Sequence, residues 1–502
     1  MLKFWRNPEF VRHVRAELRP PRAITVALIT LVVCVLVGLL SWANEREDPR
    51  EFFRLFHVWL VGIQATILGF WCASGCGQAI ARERDLKTYD FLKTTRLTAG
   101  EIMIGKVTGV PIMAYFTVAC SLPVSVAAGA LGGFSPGTLI GIYLLLLMFS
   151  LFVSLAALVL SMLLEKSGTA AVSLLILLPM GCFFALAESP FQGLSAVSVL
   201  PAIFTLYGTD ATPLRQAPTL FGMTTSYLLL TPLLLVAFGA WLVLMLVRNL
   251  KAEREQIRLL SRWQAVGLGA FLNLLFYVFL NPQRLASQES YNTITPHDAA
   301  NLATALNGFL LLLIGFVTLT PQEKLKAWWR RRKAGEEGYF SESGLPWPWL
   351  IAAAAVAYAL LVAEAAGMSS VIPLGQWRLK AAALQLVVLL VFAMRDVLFL
   401  QWCNVSSMKR PLVKGVLYLA LYYIAVSIIA GVAGIGSDAR RLFMFQLTTP
   451  FTVFSHPTPV LRGSLGLALG MGLQLAIILL ILRAITGRIR RPASTTASAS
   501  PT

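Results

Sequence analysis

Long apolar runs broken by short charged stretches set the pattern of this chain. Twelve runs predict helices of membrane-spanning length. The first six are 24–42, 55–80, 107–131, 138–164, 168–188 and 224–247; the second six are 264–281, 300–320, 347–367, 379–400, 414–436 and 463–485. About 20 apolar residues are what an α-helix needs to cross a hydrocarbon core. Backbone groups in that core must be bonded within the segment, so long apolar runs there are helical. The expected fold is an all-α polytopic membrane protein of about twelve transmembrane helices.

The longest charged interruption among the early runs is 82–106, RERDLKTYDFLKTTRLTAGEIMIGK. Arg82, Arg84, Lys87, Lys93, Arg96 and Lys106 are too many cations for hydrocarbon. Its middle predicts a short two-faced helix, with Leu86, Tyr89, Phe91 and Leu92 on one side and Lys87, Asp90 and Lys93 on the other. Thr98 and Glu101 are spaced as a capping box, which predicts that a membrane helix opens at once with the apolar run from Ile102. A rigid cytoplasmic element pinned between two spans is a lever: whatever docks on it moves both.

Composition sharpens this reading. The 502 residues are 57% hydrophobic and 13% charged, against roughly 25% charge in soluble domains. Mean hydropathy is +0.72. The N-terminal basic stretch runs to Arg22 without a small-residue cleavage site, so residues 1–22 read as an amphipathic lead-in helix, not a cleaved signal. With the N-terminus in the cytoplasm, the inside segments hold 32 of the 42 Lys and Arg. That bias supports an even number of spans and both termini inside. The net charge of +18 is then explained by loops beside anionic headgroups, not by nucleic acid. Outside loop 189–223 is Pro-rich yet apolar, and is expected to lie in the outer interface. Residues 487–502 read as a disordered cytoplasmic tail.

The island resembles the cytoplasmic loop of ABC-2-type permeases, the membrane subunits of ATP-binding-cassette exporters. That loop runs approximately E-R-E-x-G-T-L-[DE]-x-L-L, S/T-P-L-S/T-x-x-E-[ILV], G-K. Glu83, Arg84, Asp85, Thr88, Asp90, Leu92, Thr95, Leu97, Thr98, Glu101, Ile102, Gly105 and Lys106 fall in its register. Lys87, Lys93 and Arg96 depart from it, standing for a Gly, a Leu and a Pro. The resemblance covers these residues in sequence and about the first 250 in topology. It implies an ABC-2-like six-span unit at 23–250; the remaining runs, which the resemblance does not cover, form a second six-span unit at 251–486 whose parallel topology makes it a candidate diverged duplication. It also implies that the loop couples to a separate ATPase subunit, in two copies, which carries ATP and Mg. Further partners implied are a second copy of the chain or a sister permease, and membrane lipids, in a bacterial cytoplasmic membrane.

No enzyme site is expected. Gly100 to Val107 nearly spells a phosphate-binding loop, but Val107 stands where a Ser or Thr must bind magnesium and no strand precedes it. The histidines at 13, 57, 297 and 456 are scattered, Cys72 and Cys76 have no His nearby, and no metal site is expected. Polar groups within spans are costly and so are candidate sites: Gln64, Gln78, Glu188, Asn273, Asn307, Glu364, Arg395 and Asp396, the last two expected to pair. For the amides, hydrogen bonding between helices is the simpler expectation. Two alternatives to a permease are a non-ABC polytopic transporter and a membrane scaffold subunit.

Overall fold

The computed structural model describes residues 7–45, 47–89, 94–163, 192–208, 219–220, 223–252, 259–280, 295–370, 372–406, 411–433, 448–449 and 465–490. The chain divides into two compact units, 1–259 with 279–281, and 260–278 with 282–502.

Unit one holds α1 (Pro8–Glu17), α2 (Pro20–Asn44), α3 (Pro49–Asp85), α4 (Ala99–Gly109), α5 (Ile112–Leu131), α6 (Pro136–Leu163), α7 (Leu200–Tyr207) and α8 (Tyr227–Asn249). Unit two holds α9 (Arg262–Val278), α10 (Pro296–Val317), α11 (Gln322–Lys333), α12 (Trp347–Gly367), α13 (Leu379–Asn404), α14 (Pro411–Ala433) and α15 (Leu465–Arg490). Thr219–Leu220 also pairs antiparallel with Met223–Thr224. Among the described residues, ten helices are long and apolar enough to cross a membrane. The chain is therefore an α-helical, multi-pass membrane protein. The seventh predicted span is α9, with 17 residues, and the fifth lies outside the described residues.

In unit one, α3 is the hub, packing against α2, α5 and α6. Asp48 caps its start by accepting from the Arg50 and Glu51 amides, and Pro49 presets the first turn. Its 37 residues span about 55 Å, well beyond a hydrocarbon core of about 30 Å. Glu83, in its last turn, is therefore continuous with a candidate span. In unit two the hub is α13, against α10, α12, α14 and α15.

Three expectations change. The capping box does not open a membrane span directly. It opens α4, which ends at Gly109, and the span proper is α5. Pro111 at the junction has no N–H to continue the helical ladder. The apolar loop 189–223 packs onto neighbouring helices over its described part. Ala196, Val199, Ala202, Ile203 and Tyr207 are buried, and α7 packs against α6 and α8. Finally, Leu86 and Tyr89 do not share a face: Leu86 is 64% exposed and Tyr89 is buried. Phe91, Leu92 and the rest of 90–93 lie outside the described residues.

Candidate functional site

The site forms where α1, α3 and α4 meet. α1 begins at Asn7, whose Oδ1 accepts from the Glu9 and Phe10 amides at 3.0 and 3.4 Å. The same side chain donates through Nδ2 to the Glu101 carbonyl at 2.7 Å, tying the start of α1 to α4. α1 can lie this close because α4 is notched. A Cβ on Gly105 would meet Glu9 Cβ at 2.7 Å, and one on Gly109 would meet the Phe10 backbone at 3.3 Å. Glycine spacing of four places both notches on one helix face.

Ion pairs close the junction. Lys106 is fully buried, and its Nζ donates to Glu83 Oε2 at 2.6 Å and to Glu9 Oε1 at 2.9 Å. Arg12 bridges the same two carboxylates, at 2.6 Å to Glu83 and 2.8 Å to Glu9. His13 Nε2 approaches Glu9 at 3.4 Å. Burial opposes ionisation of Glu9, but His13, Lys106 and Arg12 outweigh it and bring its carboxyl down to about 2. Two acids and two bases from three helices thus form one satisfied cluster.

The loop that follows is held at both ends. α3 ends in a Schellman motif: the Thr88 amide donates to the Glu83 carbonyl at 2.9 Å and the Lys87 amide to Arg84 at 3.0 Å. This requires a left-handed residue, and Lys87 supplies it with φ +56°. Lys87 stands where the resembled loop carries Gly, the residue that adopts that conformation without penalty. At the other end, Thr98 and Glu101 make both bonds of a capping box: the Glu101 amide to Thr98 Oγ1 at 3.2 Å, and the Thr98 amide to Glu101 Oε2 at 2.7 Å. Hydrogen bonds from Thr98, the backbone one foremost, lower the Glu101 carboxyl.

Between these caps the loop grips two further helices. Arg84 donates to the Met162 carbonyl of α6 at 2.9 Å and lies over the Tyr89 ring. The Tyr89 hydroxyl donates to the Leu250 carbonyl beyond α8 at 2.7 Å. The Thr95 carbonyl accepts from Lys251 at 3.2 Å. Leu97 packs on the core cluster of Ile80, Ile102, Val107 and Leu246. The motif therefore splits by direction. Glu83, Arg84, Gly105 and Lys106 work inward, while Asp85, Leu86, Lys87 and Thr88 form an exposed rim. Asp90 and Leu92 lie outside the described residues.

The intramembrane candidates do not converge on one place. Gln64 donates to Ser121 at 2.9 Å, joining α3 to α5; Gln78 is half-buried. Asn273 and Asn307 exchange amide bonds at 2.7 and 2.8 Å, joining α9 to α10. Glu364 is half-buried on α12, and Glu188 lies outside the described residues. Arg395 and Asp396 pair at 2.6 Å. Around them the Arg395 guanidinium donates to the Tyr422 and Tyr423 hydroxyls at 3.1 and 2.9 Å and to Gln474 at 2.9 Å. A cavity of about 190 Å³ lies beside this pair, lined also by Phe399, Tyr418 and Ile477.

Sequence reasoning missed Asn7, Glu9 and Arg12. The Asn7-Pro8-Glu9 triplet is a helix-start signal that marks α1, but not what α1 packs on. It also missed buried Arg262, which donates to the Ser341 and Gly344 carbonyls at 2.7 and 2.6 Å and to Thr320 Oγ1 at 2.6 Å. Gln401 clasps Thr320 from α13, so this set fixes the turn between α10 and α11. No protein-family model matches the chain, nor does any curated protein or solved structure.

Proposed function

We propose that this chain is the membrane-spanning permease of a bacterial ABC transporter, an exporter driven by a separate ATPase subunit. In this reading it has twelve spans with both termini in the cytoplasm of the inner membrane. ATP and Mg belong to the ATPase partner, present in two copies, and the permease pairs with a second copy or with a sister permease. The supporting observation is the construction of the described residues of 83–106: an exposed rim at Asp85–Thr88 at the capped end of α3, and a capping box that opens α4, with bonds to the helices behind them.

A push on the rim has defined routes inward. It passes through Arg84 to α6, through Tyr89 to the end of α8, and through Glu83 and Lys106 to α4 and α1. Closure of two ATPases needs such a rigid receiver to become helix movement. Asp85 beside Lys87, with Leu86 exposed between them, offers mixed charge around one apolar contact, suited to reversible docking.

The test is co-purification with the ATP-binding-cassette subunit encoded nearest this gene, followed by ATPase assay. Asp85→Arg and Leu86→Asp change exposed side chains, so the fold stays intact. Both are expected to lower binding or stimulation by at least about tenfold, the factor for 1.4 kcal/mol. Binding of the ATPase that is indifferent to both changes would defeat the proposal. Glu83→Lys is a poor probe, because it breaks the buried cluster.

A further inference from the structure

The helix α11, QEKLKAWWRRRK, links two candidate spans of unit two but is far too polar to be one. Its inner face is Leu325 and Trp328, both fully buried against Leu398 and Val405 of and after α13 and Ile485 and Ile489 of α15. That anchors it beside the ends of two spans. Five of its six cations then separate into two groups. Arg331 pairs with Glu337 at 2.7 Å, and Arg332 stacks over the Tyr339 and Trp328 rings. These two hold the return segment that leads to α12.

Lys326, Arg330 and Lys333 do something else. Their spacing of four and then three puts them on one helix face with Trp329. Among the described residues none of the three is ion-paired. Arg490, at the end of α15, lies over the Trp329 ring at 5.6 Å. Three cations of α11, unpaired among the described residues, therefore share a face with Trp329, over which Arg490 also lies, while the single acid of α11, Glu323, lies in its first turn.

We propose that this face holds the phosphate headgroup of an anionic phospholipid. An anion with several acceptor oxygens matches such a group of cations. The source is a lipid because of where the face lies. α11 starts just after α10 ends at Val317, and α12 begins at Trp347. Trp329 and Trp402, each under an arginine of the last turns of α15, add the aromatic belt found at headgroup level. This inference does not depend on ATPase coupling.

The test uses the purified full-length chain with equimolar phosphatidylglycerol and phosphatidylcholine, counting retained lipids by native mass spectrometry. Wild type is expected to retain phosphatidylglycerol at least about tenfold over phosphatidylcholine, with each cation removed lowering that by about fivefold. Lys326→Gln/Arg330→Gln/Lys333→Gln should abolish the preference, while Arg331→Gln, whose residue is already paired, should keep it. Should the triple variant fail to fold, Arg490→Gln and a salt titration of wild type decide: both must lower the enrichment. Retention of the preference in the triple variant overturns the proposal. So does displacement of the lipid by millimolar inorganic phosphate, which would mark a soluble-anion site.

Discussion

Two buried charge clusters make an instructive pair. In unit one, Glu9, Glu83 and Lys106 come from three helices, and Lys106 lies 97 residues from Glu9. In unit two, Arg395 and Asp396 are neighbours on one helix, and tyrosines complete the shell. The first cluster holds helices together, so its charges are the fastening. The second presents its pair from one helix, and its partners on α14 and α15 supply spare acceptors. Removing one charge should therefore hurt the first cluster more than the second.

The largest effect is expected for Lys106→Met. It leaves two carboxylates facing each other with only half-exposed Arg12 between them. Breaking a buried pair from one side costs about 3–5 kcal/mol. Thermal unfolding of the purified chain in detergent should show this, and adding Glu83→Gln should recover part of the loss. Asp396→Asn should cost less, about 3 kcal/mol at the lower end of that range, because Arg395 keeps the Tyr422, Tyr423 and Gln474 acceptors. If Asp396→Asn proves the costlier change, spare acceptors do not explain the difference between the clusters.

Acid sharpens the comparison further. Because Glu9 titrates near 2 in the fold and at about 4.3 in an open chain, its contribution is complete above about 4.3. It fades as pH falls towards 2. Loosening of α1 should thus appear in that window, read by hydrogen exchange of residues 8–17. Glu9→Gln should flatten this pH dependence, and an unchanged profile in that variant would locate the acid-sensitive group elsewhere.

What was legible in the sequence depended on distance along the chain. The capping box of Thr98 and Glu101 is three residues wide, and the Arg395–Asp396 pair is adjacent, so both could be read directly. Apolar runs predict twelve spans, and ten helices among the described residues are long and apolar enough to be such spans, because length and hydropathy are local quantities. The cluster around Lys106 could not be read, since nothing local says that α1 folds back onto α4. Gly105 and Gly109 hinted at a close approach without naming the partner. Pro111 should have warned that the capped helix stops short of the span. Helical periodicity carried through 86–92 puts Leu86 on an apolar face, but the helix ends at Asp85 and Leu86 lies in the turn.

The smallest effect is also the most local. Lys87 is left-handed at φ +56°, a conformation that costs a non-glycine L-residue roughly 1–2 kcal/mol. Glycine removes that strain but gives the unfolded chain more freedom, so Lys87→Gly should stabilise by about 0.5–1 kcal/mol. The Schellman bonds from Lys87 and Thr88 use backbone atoms alone and survive the change. Leu86→Gly is the matched control: Leu86 has φ −80°, gains nothing from glycine, and should lose stability by up to about 1 kcal/mol. Melting temperatures moving in opposite directions would show that α3 is stopped by its turn. A parallel fall in both would mean that the Lys87 side chain itself contributes to holding the rim.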